Sequence, residues 1–143
     1  LRRVNLPNTV SKIDDQAFKD CVELVAVNIP ESVKNDNLGM AVFENCKSLM
    51  FIKLPSNLKI LKDNTFKNDT KLSEVVLNHD LKVIGKNAFY GCESLKYIEI
   101  PSKVYVLKNK AFANCKKLSV VYFHGKKPKL EEYALSLYVK QIP

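Results

Sequence analysis

The chain has 143 residues, 46% of them hydrophobic, and a net charge of +8 at pH 7. This is one domain's worth of chain, enough to bury a core, and no apolar run is long enough to span a bilayer as a helix. With four glycines in all, it has no glycine-rich loop to cradle a phosphate.

From the first residue a pattern repeats. Leu1, Leu24, Leu49, Leu72, Leu95 and Leu118 open successive copies at intervals of 23, 25, 23, 23 and 23 residues. A fixed period of this length marks a solenoid, in which each unit buries its apolar side only against its neighbours. The fourth and sixth residues of each copy are apolar: Val4 and Leu6, Val27 and Ile29, Ile52 and Leu54, Val75 and Leu77, Ile98 and Ile100, Val121 and Phe123. A spacing of two puts both on one side of an extended chain, which predicts one short strand per copy, stacked in a parallel sheet with about 4.8 Å between strands. The second, third and fifth residues are left for the outer face.

Pro7, Pro30, Pro55 and Pro101 follow the strand, with Asn78 and His124 in the remaining copies. Proline has no N–H to extend a ladder, so it stops the strand in register. A second apolar pair comes next: Val10 and Ile13, Val33 and Leu38, Leu58 and Leu61, Leu81 and Ile84, Val104 and Leu107. The second copy holds two extra residues within the polar stretch 34–37, as expected of an exposed loop. Phe18, Phe43, Phe66, Phe89 and Phe112 then recur at one phase. A short helical or 3₁₀ turn is expected here, dropping each ring into an interior ladder whose truncation to Ala would cost about 3–5 kcal/mol.

Cys21, Cys46, Cys92 and Cys115 share one phase of the repeat, unlike the paired spacing of a zinc site. Stacking would bring neighbours (Cys21 with Cys46, Cys92 with Cys115) within disulfide reach, but parallel Cβ vectors favour buried thiols, with disulfides as the alternative. Asn68-Asp69-Thr70 is a short glycosylation pattern in an expected loop and is weak evidence. The chain has no initiator Met and opens on a repeat boundary, so it is expected to be a processed or truncated piece of a longer protein. An uncovered strand edge at Leu1 would then be an aggregation liability.

The composite Leu-x-x-Ile-x-Ile-Pro-x-x-Val-x-x-Ile-Gly-x-x-Ala-Phe-x-x-Cys resembles the leucine-rich repeat of BspA-like surface proteins. Ile84-Gly85, Ala88-Phe89 and Cys92 in the fourth copy and Ile100-Pro101, Ala111-Phe112 and Cys115 in the fifth carry the likeness most closely. Asp69 replaces the repeat Cys, and Lys62 and Lys108 replace residues like Gly85. Tyr133-Ala134-Leu135 is similar to a degenerate last repeat. The expected fold is α/β: a right-handed leucine-rich repeat solenoid of about six 23-residue coils, with short parallel strands on the concave face and short helical or 3₁₀ turns elsewhere. Residues 1–127 would form the solenoid, with copies starting near 1, 24, 49, 72, 95 and 118, and 128–143 the degenerate last repeat or C-terminal cap. The resemblance implies a cell-surface or secreted protein of host-associated bacteria or parasitic protists, in adhesion to host cells, matrix or other microbes. It brings no catalytic residues and no cofactor.

Met50 and Phe51 are large apolar residues at positions where the strand faces out. With Val25, Val76, Tyr97, Val120 and Tyr122 they make a candidate ligand-binding patch on the concave face, since exposed apolar patches mark interaction sites. A protein ligand, such as a host surface or matrix protein, is the expected partner. Arg2 and Arg3 are the only arginines, and the lysines fall mostly in turns, which reads as a solvated flank. That charge also allows an acidic glycan or lipid surface, while scarce Arg argues against nucleic acid. His79-Asp80 reads as a capped turn rather than a metal site, and neither His79 nor His124 sits in a catalytic pattern. The expectation is a non-enzyme without metal or cofactor that binds protein; a structural spacer presenting another domain and a basic glycan- or lipid-binding surface are its rivals.

Overall fold

The structure, a computed structural model, describes residues 2–143, so the expected roles of Leu1 lie outside the described residues. Two families of short parallel strands run along the chain, alternating from residue 51 onward. The first comprises β1 (Arg3–Asn5), β2 (Ala26–Asn28), β3 (Phe51–Lys53), β5 (Glu74–Val76), β7 (Tyr97–Ile100), β9 (Val120–Phe123) and β11 (Lys140–Ile142); it forms one wall, the first sheet, in three hydrogen-bonded ladders, β1 with β2, β3 with β5, and β9 with β7 and β11. The second comprises β4 (Ile60–Leu61), β6 (Val83–Ile84), β8 (Val106–Leu107) and β10 (Lys129–Leu130). Every pairing is parallel and joins residues at the same phase of successive coils, as in Tyr97 with Val120, Phe51 with Glu74, and Val83 with Val106.

The expected inward pairs all turn toward the core. Ile52, Leu54, Ile98, Ile100, Val121 and Phe123 are buried, and so are Leu58, Leu61, Leu81, Ile84, Val104 and Leu107. Phe18, Phe43, Phe66, Phe89 and Phe112 form the expected ladder, with centroids 5.6, 5.5, 5.4 and 5.0 Å apart and nearly parallel planes. Four of the rings are fully buried, Phe18 partly.

The expected helical turns and the α/β class are not what the chain adopts. Among the described residues there is no helix, and the wall facing the first sheet is the second sheet, followed by hydrogen-bonded turns. The backbone explains why. In the fourth coil Ala88, Tyr90 and Cys92 donate locally to Gly85, Asn87 and Phe89, while Asn87, Phe89 and Gly91 donate across to Asn109, Ala111 and Ala113 of the next coil. Alternate amides thus serve the neighbouring coil, which no run of i→i−4 bonds permits. Left-handed residues produce that alternation. Gln16, Ala41, Asn64, Asn87, Lys110 and Tyr133 form one series with φ between 54 and 62°, and Asp20, Asn45, Asn68, Gly91 and Asn114 form another. A left-handed residue cannot continue a right-handed helix, and Asn and Gly carry that conformation at least cost.

Other departures from the repeat also have physical causes. The two extra residues of the second coil are exposed and break the second sheet, so that Leu38 bridges to Ile13 while Asn35 bridges to Leu58. Gly39 and Gly85 occur where the coil below carries Asp15 and Asp63, whose carboxylates accept from the amides of Met40 and Lys86 at 2.8 and 2.9 Å. A Cβ on Gly39 or Gly85 would lie 2.5 or 2.8 Å from the Asp amide nitrogen. Lys62 and Lys108 stand at the glycine phase where the coil below has Met40 or Lys86 in place of the Asp, so the carboxylate oxygen that would lie 2.6 or 2.8 Å from a Cβ on Gly39 or Gly85 has no counterpart there. Asn78, in a proline place, is buried and donates through Nδ2 to the carbonyls of Ser56 and Leu58 at 3.1 and 2.7 Å.

Candidate functional site

The first sheet carries the candidate patch. Met50 (53% exposed), Phe51 (44%), Val76 (40%), Tyr97 (51%) and Tyr122 (37%) all open to solvent, while Val25 and Val120 are half-buried. Backbone pairing holds Phe51 and Val76 (β3 with β5) and Tyr97, Val120 and Tyr122 (β7 with β9, and β9 also with β11), and the rings of Tyr97 and Tyr122 meet edge to face at 6.5 Å. The apolar surface is not one unbroken field. In the column of third residues Glu74 stands between Phe51 and Tyr97, and Val76 pairs with Lys53. Two clusters result: Val25, Met50 and Phe51 on one side, and Tyr97, Val120 and Tyr122 on the other, with Val76 between them. A shallow cavity of about 240 Å³ opens beside Phe51, lined also by Val27, Ile29, Glu31 and Lys53.

At the edge of the same sheet, His79, Glu99, Ser102 and His124 line a cavity of about 300 Å³, and His124 Nε2 lies 3.1 Å from Glu99 Oε1. This brings together two histidines that lie two coils apart, a meeting that neighbouring sequence does not reveal. Among the described residues no group of three or more His, Cys, Asp or Glu side chains could hold a metal ion. No helix among them is long and apolar enough to cross a membrane.

The cysteine column has a structural task. The described residues contain no disulfide; the Cys46, Cys92 and Cys115 thiols lie 3.2, 3.2 and 3.1 Å from the carbonyls of Phe18, Phe66 and Phe89 in the preceding coil. Burial pushes the Cys115 thiol up to about 12 and raises Cys46 and Cys92 as well, so all three remain protonated donors. Asp69 occupies this column in the third coil and is buried. The Cys46 amide donates both to Asp69 Oδ1 at 2.9 Å and to the Phe43 carbonyl at 3.2 Å, and Asp69 Oδ2 has no partner. Burial raises the Asp69 pKa well above its ordinary value, against the lowering effect of the Cys46 amide.

The BspA type leucine rich repeat region matches residues 1–119 in six copies, more than four-fifths of the chain. The chain belongs to the BspA-type leucine-rich repeat family. A leucine rich cell surface protein from Faecalibacterium prausnitzii A2-165 is similar over 87% of this chain and 32% of its own, at 32% identity and a TM-score of 0.82. A leucine rich repeat protein of T. pallidum shares the fold at 24% identity and a TM-score of 0.75, over 94% of this chain and 78% of that one. A leucine-rich repeat protein from Bacteroides ovatus ATCC 8483 does so at 22% identity and a TM-score of 0.65, over 99% and 53%. The comparison with curated proteins found no match. The BspA-type repeats thus account for a parallel-strand solenoid of about six coils, and β9, β10 and β11 continue it beyond the matched span.

Proposed function

We propose that this BspA-type chain is a non-catalytic protein-binding module of a surface or secreted protein, serving adhesion to host cells, matrix or other microbes through its first sheet. The observation that carries this reading is the exposure of Met50, Phe51, Tyr97 and Tyr122 on or beside short backbone-paired strands, where no described residue covers them. Aromatic and Met side chains are the usual anchors of interface cores, and rigid strands limit the entropy lost on binding. Similarity to a cell surface protein supports the location.

The test compares the wild-type chain with a folded Met50→Asp/Phe51→Asp/Tyr97→Asp variant in binding to host cells and immobilised matrix proteins, at low and high salt. Loss of binding by the variant at both salts is the expected result. Equal binding by both would remove the patch from recognition, and no binding by either would leave the chain as a spacer.

A further inference from the structure

We infer that the flank of the second sheet in coils three to six is a separate binding strip for a linear sulfated or carboxylated polysaccharide. The positive charge of the chain is unevenly placed. Residues 56–64, 79–87, 102–110 and 125–133, the same phase of four successive coils, hold ten lysines against four acidic residues. The matching stretches of the first two coils, 8–16 and 31–41, hold two lysines against four acidic residues. The strip therefore begins abruptly at the third coil.

Backbone bonds between coils set its geometry. The Lys59 amide donates to Asn35, Lys82 to Lys59, Tyr105 to Lys82 and Lys129 to Tyr105, at 2.8, 2.8, 3.0 and 2.9 Å. Lys59, Lys82 and Tyr105 thus stack on successive coils, with about 4.8 Å of rise for each, and in the sixth coil Lys129 follows one residue on, in register with Val106. Lys103 and Lys108 flank the column in the fifth coil. Three of the four acidic residues are already engaged. Asp80 pairs with Lys103 at 3.0 Å, Asp63 accepts from the Lys86 amide and Glu131 from the Asn109 amide.

A repeating array of cations matches a polymer whose anions also repeat, because the chain can engage in several equivalent registers. Between the lysines Val83 and Val106, each only 8% exposed, offer little apolar surface. Lysine ammonium groups are compact point charges, and the strip holds no Arg fork. Tyr105, 62% exposed, is the one aromatic in the column and offers a flat apolar face to a sugar ring. A single-strand nucleic acid would need stacking platforms at successive positions, and a bilayer would need an apolar face to insert; neither is present in this column.

The strip lies on the second sheet, away from Met50, Phe51 and Tyr97, so it stands or fails independently of the protein-binding reading. Heparin is the probe, titrated against the full chain at rising NaCl, with oligothymidylate and phosphatidylserine vesicles run beside it. A Lys59→Gln/Lys82→Gln/Lys129→Gln variant should lose at least about tenfold in heparin affinity, with the slope of log affinity against log salt falling by roughly one per lysine. A Lys47→Gln/Lys71→Gln/Lys117→Gln variant, with the same net charge on another edge, should keep wild-type binding. Bound heparin should also protect Lys82 and Lys129 of the unmutated chain from acetylation while Lys47 and Lys71 react. Equal losses in the two variants, no protection, tighter binding of the nucleic acid or vesicles at matched salt, or no heparin binding at all would each overturn the inference.

Discussion

Replacing Asp69 by Asn should stabilise the protein at neutral pH and have little effect in acid. Where a thiol donates to a Phe carbonyl in other coils, the third coil has a buried carboxyl whose Oδ1 shares the Cys46 amide with the Phe43 carbonyl. Ionised, it sets an acceptor against an acceptor and leaves Oδ2 without a partner. Protonated, it regains a donor. Because burial raises the folded-state pKa above the ordinary 3.8, the folded chain holds a proton that the unfolded chain has released. Stability therefore falls as pH rises above that ordinary value, by up to about 1.4 kcal/mol per pH unit, until the folded-state group ionises. An Asn keeps the bond from the Cys46 amide and offers Nδ2 to Phe43 at every pH. The gain for Asp69→Asn at pH 7 should be about 1–3 kcal/mol, the magnitude of an unsatisfied buried polar group. At roughly 2–4 °C per kcal/mol, thermal unfolding followed by circular dichroism resolves it. Other carboxylates titrate in the same range, but they are common to both proteins and cancel in the difference. A variant no more stable than wild type at pH 7, or a difference in Tm that does not shrink between pH 7 and pH 4, would refute the reasoning.

Three further outcomes are expected. Lys110→Gly, at φ 58° in an exposed turn, should raise stability by about 0.5–1 kcal/mol in urea unfolding. Gly91→Ala, with φ 75° and a Cβ that would sit 2.5 Å from Asn68 Oδ1, should lower it by more than about 1 kcal/mol; a gain there would contradict the left-handed assignment. Titrated with a thiol-reactive disulfide at pH 8, the native chain should react promptly at the half-buried Cys21 and slowly at Cys46, Cys92 and Cys115, while all four react in denaturant; prompt native labelling of Cys92 would be inconsistent with its buried donor role.

Periodicity made much of this protein legible before any coordinates. Leu, the two inward pairs and Phe recur at one phase, so the short strands, the parallel stacking and the ring ladder follow from the spacing of apolar residues in a chain that can bury them only against its own copies. The outward residues Phe51, Tyr97 and Tyr122 follow too, because side chains alternate along a strand, whereas Met50, just before β3, does not follow from that alternation. Whether the stretch around Phe89 turns as a helix or bonds to the next coil was beyond that spacing, since apolar residues three apart suit both. The left-handed residues decided it by handing alternate amides to partners 22–24 residues away. The same distance in sequence hid the thiol bonds to Phe carbonyls, the misfit of Asp69, the meeting of Asp15 with Gly39, the charge of Glu74 inside the apolar patch and the lysine column on the second sheet. One coil states which residues point inward; only the stacking of coil on coil determines what each remaining residue touches, because nearly every such contact joins different copies of the repeat.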